Sequence, residues 1–520
     1  MNNLFKLPLG GIIASTVAAA ALASCTPDNG TVYGDVAWDP AVLAAKDGVY
    51  VRLPSAGKLV RVTTDGSYAE VDLGGAQPDT LTLVPGGDAV LVHASWPVCE
   101  STRPNLRFVS DCDEDDLTYG HELSLVKDGA VVGTTTEVPY QFNAMTFNAD
   151  ASLAVAYLDF ADSAEIDVTG VLNLTEAVFM DLESSEVHRV AVGFAPENVL
   201  FTGDGQKAVV LSRSQVAVVD LASWTVSVTY PLTLSSNDVV EPTDVVLTPD
   251  GTYALVTIAS SPNLYVLDLV AESIDIVELD AVPSDLQVDT ANDRTIIVYG
   301  SSASVDVLEH SYFETSAWEL NEPASAIMAA GTASLLFNPG SSYHDVYWFD
   351  IASGQLDEYR AENPIDEMFI TDDGAVAIAT TRPESSGGSG VSGFYDSYYG
   401  LNVFDLTTGR TPAALALESA PVGVQIVSEG GVNTAFVLLD GVDQLQQVDL
   451  ATGSSTTLDL PAPPVGINAI PDGPFVVSHS SALGLISFYD VATSTFVTAS
   501  NFATIGLYGE RELPRQEVSK

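Results

Sequence analysis

The chain has 520 residues, with 70 acidic side chains against 18 basic ones and a formal net charge of −52. A field of that sign repels nucleic acid and anionic lipid surfaces, which excludes both as direct partners. Acid in such excess suits a salty habitat, where counterions screen self-repulsion, or calcium binding by some of the acids; the two are compatible.

Residues 1–24 read as an export signal rather than as structure. Lys6 supplies a minimal positive start, and Leu7 to Ala21 is apolar. That stretch is too short and too rich in Ala and Gly for a transmembrane helix. Leu22-Ala23-Ser24-Cys25 follows and resembles the lipobox of bacterial lipoproteins. The resemblance implies lipidation of Cys25 as the first mature residue, with residues 25–35 as a lipid-anchored linker; an ordinary secretory signal is the alternative. Thr26, in place of Asp, implies the outer membrane under the enteric sorting rule. No later apolar run is long enough to span a bilayer, so the mean hydropathy of +0.22 reflects buried strands. The expected molecule is a soluble body on a lipid anchor.

From residue 36 to about 510 the chain repeats. Pro40, Pro78, Pro139, Pro196, Pro242, Pro283, Pro323, Pro364, Pro421 and Pro464 each precede a short apolar segment. Most of these segments then reach a Gly- or Asp-centred turn, and a second apolar run follows. From Pro242 to Pro364 the prolines step by 41, 40 and 41 residues. A repeat of about 40 residues made of short strands marks a β-propeller. The fifth unit predicts strand A at Asp244 to Leu247, B at Tyr253 to Ile258, C at Leu264 to Leu269 and D at Ser273 to Leu279. Val, Ile, Tyr and Leu dominate these segments, as strands prefer. The fold class is all-β, with about ten four-stranded blades. Ten exceeds the usual four to eight. One wide toroid and two propellers in series both fit, and the lack of a Pro/Gly/Ser linker favours one toroid. Thr31 to Trp38 or Ala503 to Tyr508 is the candidate closing strand, and residues 511–520 form a tail.

Three units are long. Pro78 to Pro139 spans 61 residues, while Pro139 to Pro196 and Pro364 to Pro421 each span 57. The excess falls between strands B and C each time, near 97–120, 158–172 and 383–399. The B–C and D–A links of an antiparallel blade leave from one end, so all three insertions decorate one face. Long loops on a rigid scaffold are where binding concentrates. The first insertion holds Cys99 and Cys112, which in an exported chain read as one disulfide stabilising by about 3 kcal/mol. It also holds Asp111, Asp113, Glu114, Asp115 and Asp116. These are either a Ca²⁺ site, the one cofactor entertained, or a solvated acidic loop without EF-hand spacing. The second insertion carries Asp159, Asp162, Glu165 and Asp167, with the same two readings. The third, rich in Gly and Ser, carries Phe394, Tyr395, Tyr398 and Tyr399. These are either contacts for a protein or glycan partner or locally packed aromatics.

Asp181, Asp220, Asp268, Asp350, Asp405, Asp449 and Asp490 recur at the end of strand C. The expected role is structural: Asp opens the C–D turn by accepting from its own backbone. With Pro242, Pro249-Asp250-Gly251, Val266-Leu267-Asp268 and Val448-Asp449-Leu450-Ala451-Thr452-Gly453, the chain resembles the YVTN-type β-propellers and their lactonase-like, quinoprotein-like and WD40-like relatives. The resemblance covers nearly the whole mature chain and carries the fold. The tetrapeptide itself is replaced, for example by Ala254-Leu255-Val256-Thr257.

Catalytic motifs are sparse. His93, His121, His188, His310, His344 and His479 are scattered through different units, with no pair at metal-ligand spacing. Ser55-Ala56-Gly57-Lys58 matches S-x-x-K but falls in a turn between strands, and neither a G-x-S-x-G elbow nor a dinucleotide fingerprint occurs. No catalytic residue is assigned. The expectation is a non-enzymatic cell-envelope lipoprotein that binds a protein or glycan as scaffold or adhesin. The alternative is a lactonase-like hydrolase with a metal in the central channel.

Overall fold

The computed structural model describes residues 41–504, apart from 54–55, 100–111, 113–115, 139–140, 160–172, 234–239, 385–396, 430–431, 472 and 482–483. Among the described residues, forty strands form ten four-stranded sheets, each an antiparallel meander in sequence order. No α-helix occurs among the described residues. Blade 1 is Ala41–Ala45, Gly48–Leu53, Lys58–Val62 and Tyr68–Val71. Blade 5 is Pro242–Leu247, Tyr253–Ile258, Asn263–Asp268 and Ser273–Glu278. The repeat thus locates strands to within two residues.

Burial orders the strands radially. Strand B of blade 4 (Lys207–Ser212) is almost wholly buried, while strand D of blade 6 (Glu314–Glu319) is almost wholly exposed. Strand D is therefore the rim, and strand A lies innermost. Apolar side chains on both faces of B and C fill the gaps between blades. Ten such clusters exist, one for each neighbouring pair. Blade 5 meets blade 6 through Leu255, Val266, Ile297 and Tyr299. Blade 9 meets blade 10 through Phe436, Leu438, Phe475 and Tyr489.

The tenth cluster decides the architecture. Val49, Val51 and Val60 of blade 1 pack with Val476, Ile486 and Phe488 of blade 10, and with Phe502. The blades therefore form a single closed ring of ten. Blades 1 and 10 each complete four strands, so the seam is closed by side-chain packing. Phe502–Thr504 is a 3₁₀ turn that plugs Phe502 into the seam; the rest of the candidate closing strand, 505–508, lies outside the described residues. Thr31 to Trp38, the export signal and the tail lie outside the described residues.

Pro78, Pro196, Pro242, Pro421 and Pro464 lie at the start of their innermost strands, where a missing N–H is tolerated. In five blades a β-bulge follows at once, after Pro78, Pro196, Pro242, Pro421 and Pro464. Bulges bend a strand and re-aim one side chain. The aspartates at the end of strand C behave as turn residues. Asp268 Oδ1 accepts from the N–H groups of Val270 (2.9 Å) and Ala271 (2.6 Å). Asp449 Oδ1 does the same for Ala451 (2.9 Å) and Thr452 (3.0 Å).

Candidate functional site

Strands A and C run one way through each blade and B and D the other. The B–C and D–A links therefore share one face of the ring. Blade 2 breaks between Val90–Cys99 and Leu117–Lys127, blade 3 between Leu153–Tyr157 and Glu176–Asp181, and blade 8 between Val376–Thr381 and Tyr399–Asp405. These are the three predicted insertions, and all lie between B and C. With ten blades, blade 8 stands across the ring from blades 2 and 3.

Cys99 and Cys112 form a disulfide with Cα atoms 5.9 Å apart. Asp116 lies half-buried beside the start of strand C of blade 2. Asp111, Asp113, Glu114 and Asp115 lie outside the described residues, as do Cys25, Phe394 and Tyr395. Tyr398 is 43% exposed, and its carbonyl accepts from the Asn363 side chain. Tyr399 instead packs against the blade 8–9 cluster.

The same face holds an open hollow in blade 9 of about 800 Å³. Glu418, Asp440, Asp443 and Asp459 line it, with Ser419 and Gln444. The links that carry them are braced: Asp440 N–H donates to Ala420 O (2.8 Å), and Leu460 N–H to Asp443 O (2.9 Å). Four acids around one open hollow make a surface that favours cationic or hydroxyl-rich ligands.

The scatter of histidines along the sequence is overturned in blade 2. His93 lies on strand B and His121 on strand C, and the register pairs His93 with Leu123 and Ser95 with His121. The two histidines are therefore diagonal neighbours on one face of the hairpin. Their rings stack with centroids 5.4 Å apart. Asp79 sits in the bulge after Pro78, which lifts it out of alternation and turns it to His93; Asp79 Oδ2 and His93 Nδ1 are 3.5 Å apart. Arg52 of blade 1 donates to the Asp79 carbonyl and braces the bulge. Phe142, at the entry to blade 3, meets the His93 ring edge to face. The group thus lies between blades 2 and 3, on the inserted side.

This cluster differs from the other histidines. Both ring nitrogens of His310 have partners, Thr295 and Asp293, each at 2.8 Å. His344 has Ala361 O at 3.2 Å and Glu384 at 2.9 Å. His188 stacks on Trp224. His121 is 5% exposed, yet neither ring nitrogen has a hydrogen-bond partner, a state that costs about 1–3 kcal/mol. Burial pushes its pKa below the ordinary histidine value, which keeps the imidazole neutral. Gly120 beside it is forced: a Cβ there would come within 2.4 Å of the Trp96 ring, which lies across the strand pair. Sequence spacing could not reveal this set, because its members meet across a hairpin register and a bulge.

Acids also gather on the innermost strands. Burial, with the charge of Asp285, raises the Asp244 carboxyl to about 7. Burial raises Asp285 to about 6, although it accepts the N–H groups of Ile327 and Leu286. None of the described innermost strands carries a histidine.

The ring and its one-sided insertions define the class: an all-β, ten-bladed β-propeller protein with an elaborated face. No known family profile matches the chain, and no curated protein matches it. Among solved structures it is similar to a eukaryotic initiation factor, at 14% identity over 74% of this chain and 89% of that one, with a TM-score of 0.46. It is similar to the dihydro-haem d1 dehydrogenase NirN in complex with DHE (12%; 70% and 78%; 0.42). It is similar also to the C-terminal WD40 domain of Sif2 (11%; 74% and 96%; 0.39). Likeness at this level assigns no role to any residue here.

Proposed function

We propose that this chain is a lipid-anchored protein of the cell envelope whose propeller holds a protein or glycan partner on the insertion-bearing face. One observation carries the reading: the long links of blades 2, 3 and 8 all leave from the face that also holds the acid-lined hollow of blade 9. A rigid ring with its variable loops on one side is a platform. The carboxylates of Glu418, Asp440, Asp443 and Asp459 favour a basic protein segment. Anchoring through Cys25 in the outer membrane, and kinship with the YVTN-type propellers, belong to the same reading and rest on sequence motifs. The role is scaffolding or adhesion.

A photo-crosslinker placed at Tyr398, in native membranes, tests the partner. A specific adduct should form, and Asp440→Asn with Asp443→Asn should weaken it. Recovery of no adduct from the wild-type chain would sink the platform reading. Cys25→Ser should move the chain to the soluble fraction; retention in the membrane counts against the anchor.

The second reading is a lactonase-like hydrolase with a metal in the central channel. The innermost strands supply Asp244 and Asp285 for such a site, while the histidine pair lies between blades 2 and 3 instead. Lactone hydrolysis by the purified chain that is lost in Asp244→Asn would favour this reading over the first.

A further inference from the structure

We infer that Asp79, His93 and His121 form a binding site for one divalent first-row transition-metal ion of the Zn²⁺ class, set between blades 2 and 3 and independent of the partner-binding reading.

The geometry comes first. One carboxylate oxygen and one nitrogen from each imidazole lie within 4.8 Å of one another. Ligands around one ion, at metal distances of about 2.0–2.2 Å, stand roughly 3–3.5 Å apart. Side-chain shifts on the order of 1 Å therefore close the set around an ion, with no change of strand register.

The donors select the ion. Two imidazoles and one carboxylate suit Zn²⁺, Fe²⁺ or Co²⁺, whereas Ca²⁺ and Mg²⁺ prefer oxygen donors only. Three protein ligands leave a coordination position open, as in zinc sites that bind water or substrate. Access comes from the Asp79 side, since its side chain is 28% exposed and that of His93 is fully buried.

The second, independent observation is the state of His121. Its ring is buried and both nitrogens lack a hydrogen-bond partner. A packed histidine has its polar atoms satisfied, as His310 and His344 do. A metal ion facing the His93–Asp79 side supplies what one His121 nitrogen lacks. The site would also tie strands A, B and C of blade 2 together beneath the disulfide-bearing insertion.

Zn²⁺ and Co²⁺ titrated into the full chain test the site. Excess Mg²⁺ is present to saturate carboxylate-only sites on this acidic surface. One equivalent of Zn²⁺ should remain bound. Co²⁺ should give the intense visible bands of a nitrogen-ligated, low-coordinate ion rather than the weak bands of a hydrated one. His121→Ala and Asp79→Asn should each lower affinity at least roughly tenfold, and His310→Ala should not. Asp79→Asn alters a half-exposed bulge and keeps the buried rings, so it serves if His121→Ala fails to fold. A wild-type chain that retains no Zn²⁺ in excess Mg²⁺, or only weak Co²⁺ bands, overturns the inference. So does unchanged affinity in a folded His121→Ala or Asp79→Asn chain.

Discussion

Phe502 and Tyr68 meet edge to face, with ring centroids 6.2 Å apart, across the seam where blade 10 returns to blade 1. Phe502 is fully buried there among Val49, Val51, Ile486 and Phe488. Each blade sheet is complete in itself, so this contact and its neighbours hold the ring shut. The energetic weight of the seam therefore lies in apolar burial between blades 1 and 10.

Truncating the plug should open the seam. Phe502→Ala is expected to destabilise by about 3–5 kcal/mol, read as a lower denaturation midpoint in urea. Tyr312→Ala, at a residue 79% exposed, should stay within about 0.5 kcal/mol. Equal midpoints for the two variants would mean that something other than packing closes the ring.

The turn aspartates predict additive losses. Asp268→Ala removes two backbone acceptor contacts in blade 5, and Asp449→Ala removes two in blade 9. Each should cost about 1 kcal/mol. The blades share no contact, so the double variant should lose the sum, in the same urea measurement. A much larger loss in either single variant would point to a role beyond the turn.

Asp244 and Asp65 set opposite pH dependences. Its folded pKa, about 7, lies above the ordinary aspartate value, so the folded chain holds the proton longer than the unfolded one. Stability from this group therefore falls as pH rises from roughly 4 to about 7, and levels off beyond. Asp244→Asn should flatten that fall and raise Tm more at pH 8 than at pH 4. Asp65 works the other way. The Thr63 hydroxyl and the Ser67 N–H hold it at about 2, so its contribution is present above pH 4 and lost toward pH 2. Thermal melts across pH 2 to 8 separate the two, and a pH-independent difference between wild type and Asp244→Asn would refute the assignment.

The disulfide should act locally. Cys99 ends the long strand B of blade 2, six residues beyond His93, and Cys112 lies in the link that follows. Cys99→Ser with Cys112→Ser should speed amide exchange at Trp96 to Cys99 and Leu117 to Gly120, with blades 5 to 7 unchanged. Uniform acceleration around the ring would show instead that the bond supports global stability.

Much of the architecture is legible in the sequence because it is local. Strand bounds in blade 5, the Asp turns, the disulfide and the three B–C insertions all follow from alternation, turn chemistry or spacing within one unit. A turn aspartate bonds to residues two or three positions on, so its neighbours in sequence are its neighbours in space. The single ring is different. It depends on whether blade 10 packs on blade 1, and Val49 and Phe488 are joined by nothing but the closure of the whole chain. The histidine pair depends on register: His93 and His121 become neighbours only once the hairpin is paired with His93 opposite Leu123. Asp79 joins them only because a bulge breaks the alternation of its strand. Spacing rules for metal ligands describe residues on one turn or one helix, and they are blind to ligands assembled across three strands. Alternation and turn chemistry within each unit are enough to show the blade and its number. Ring closure and the approach of Asp79, His93 and His121 to within 4.8 Å are invisible to them, because both are set by long-range packing.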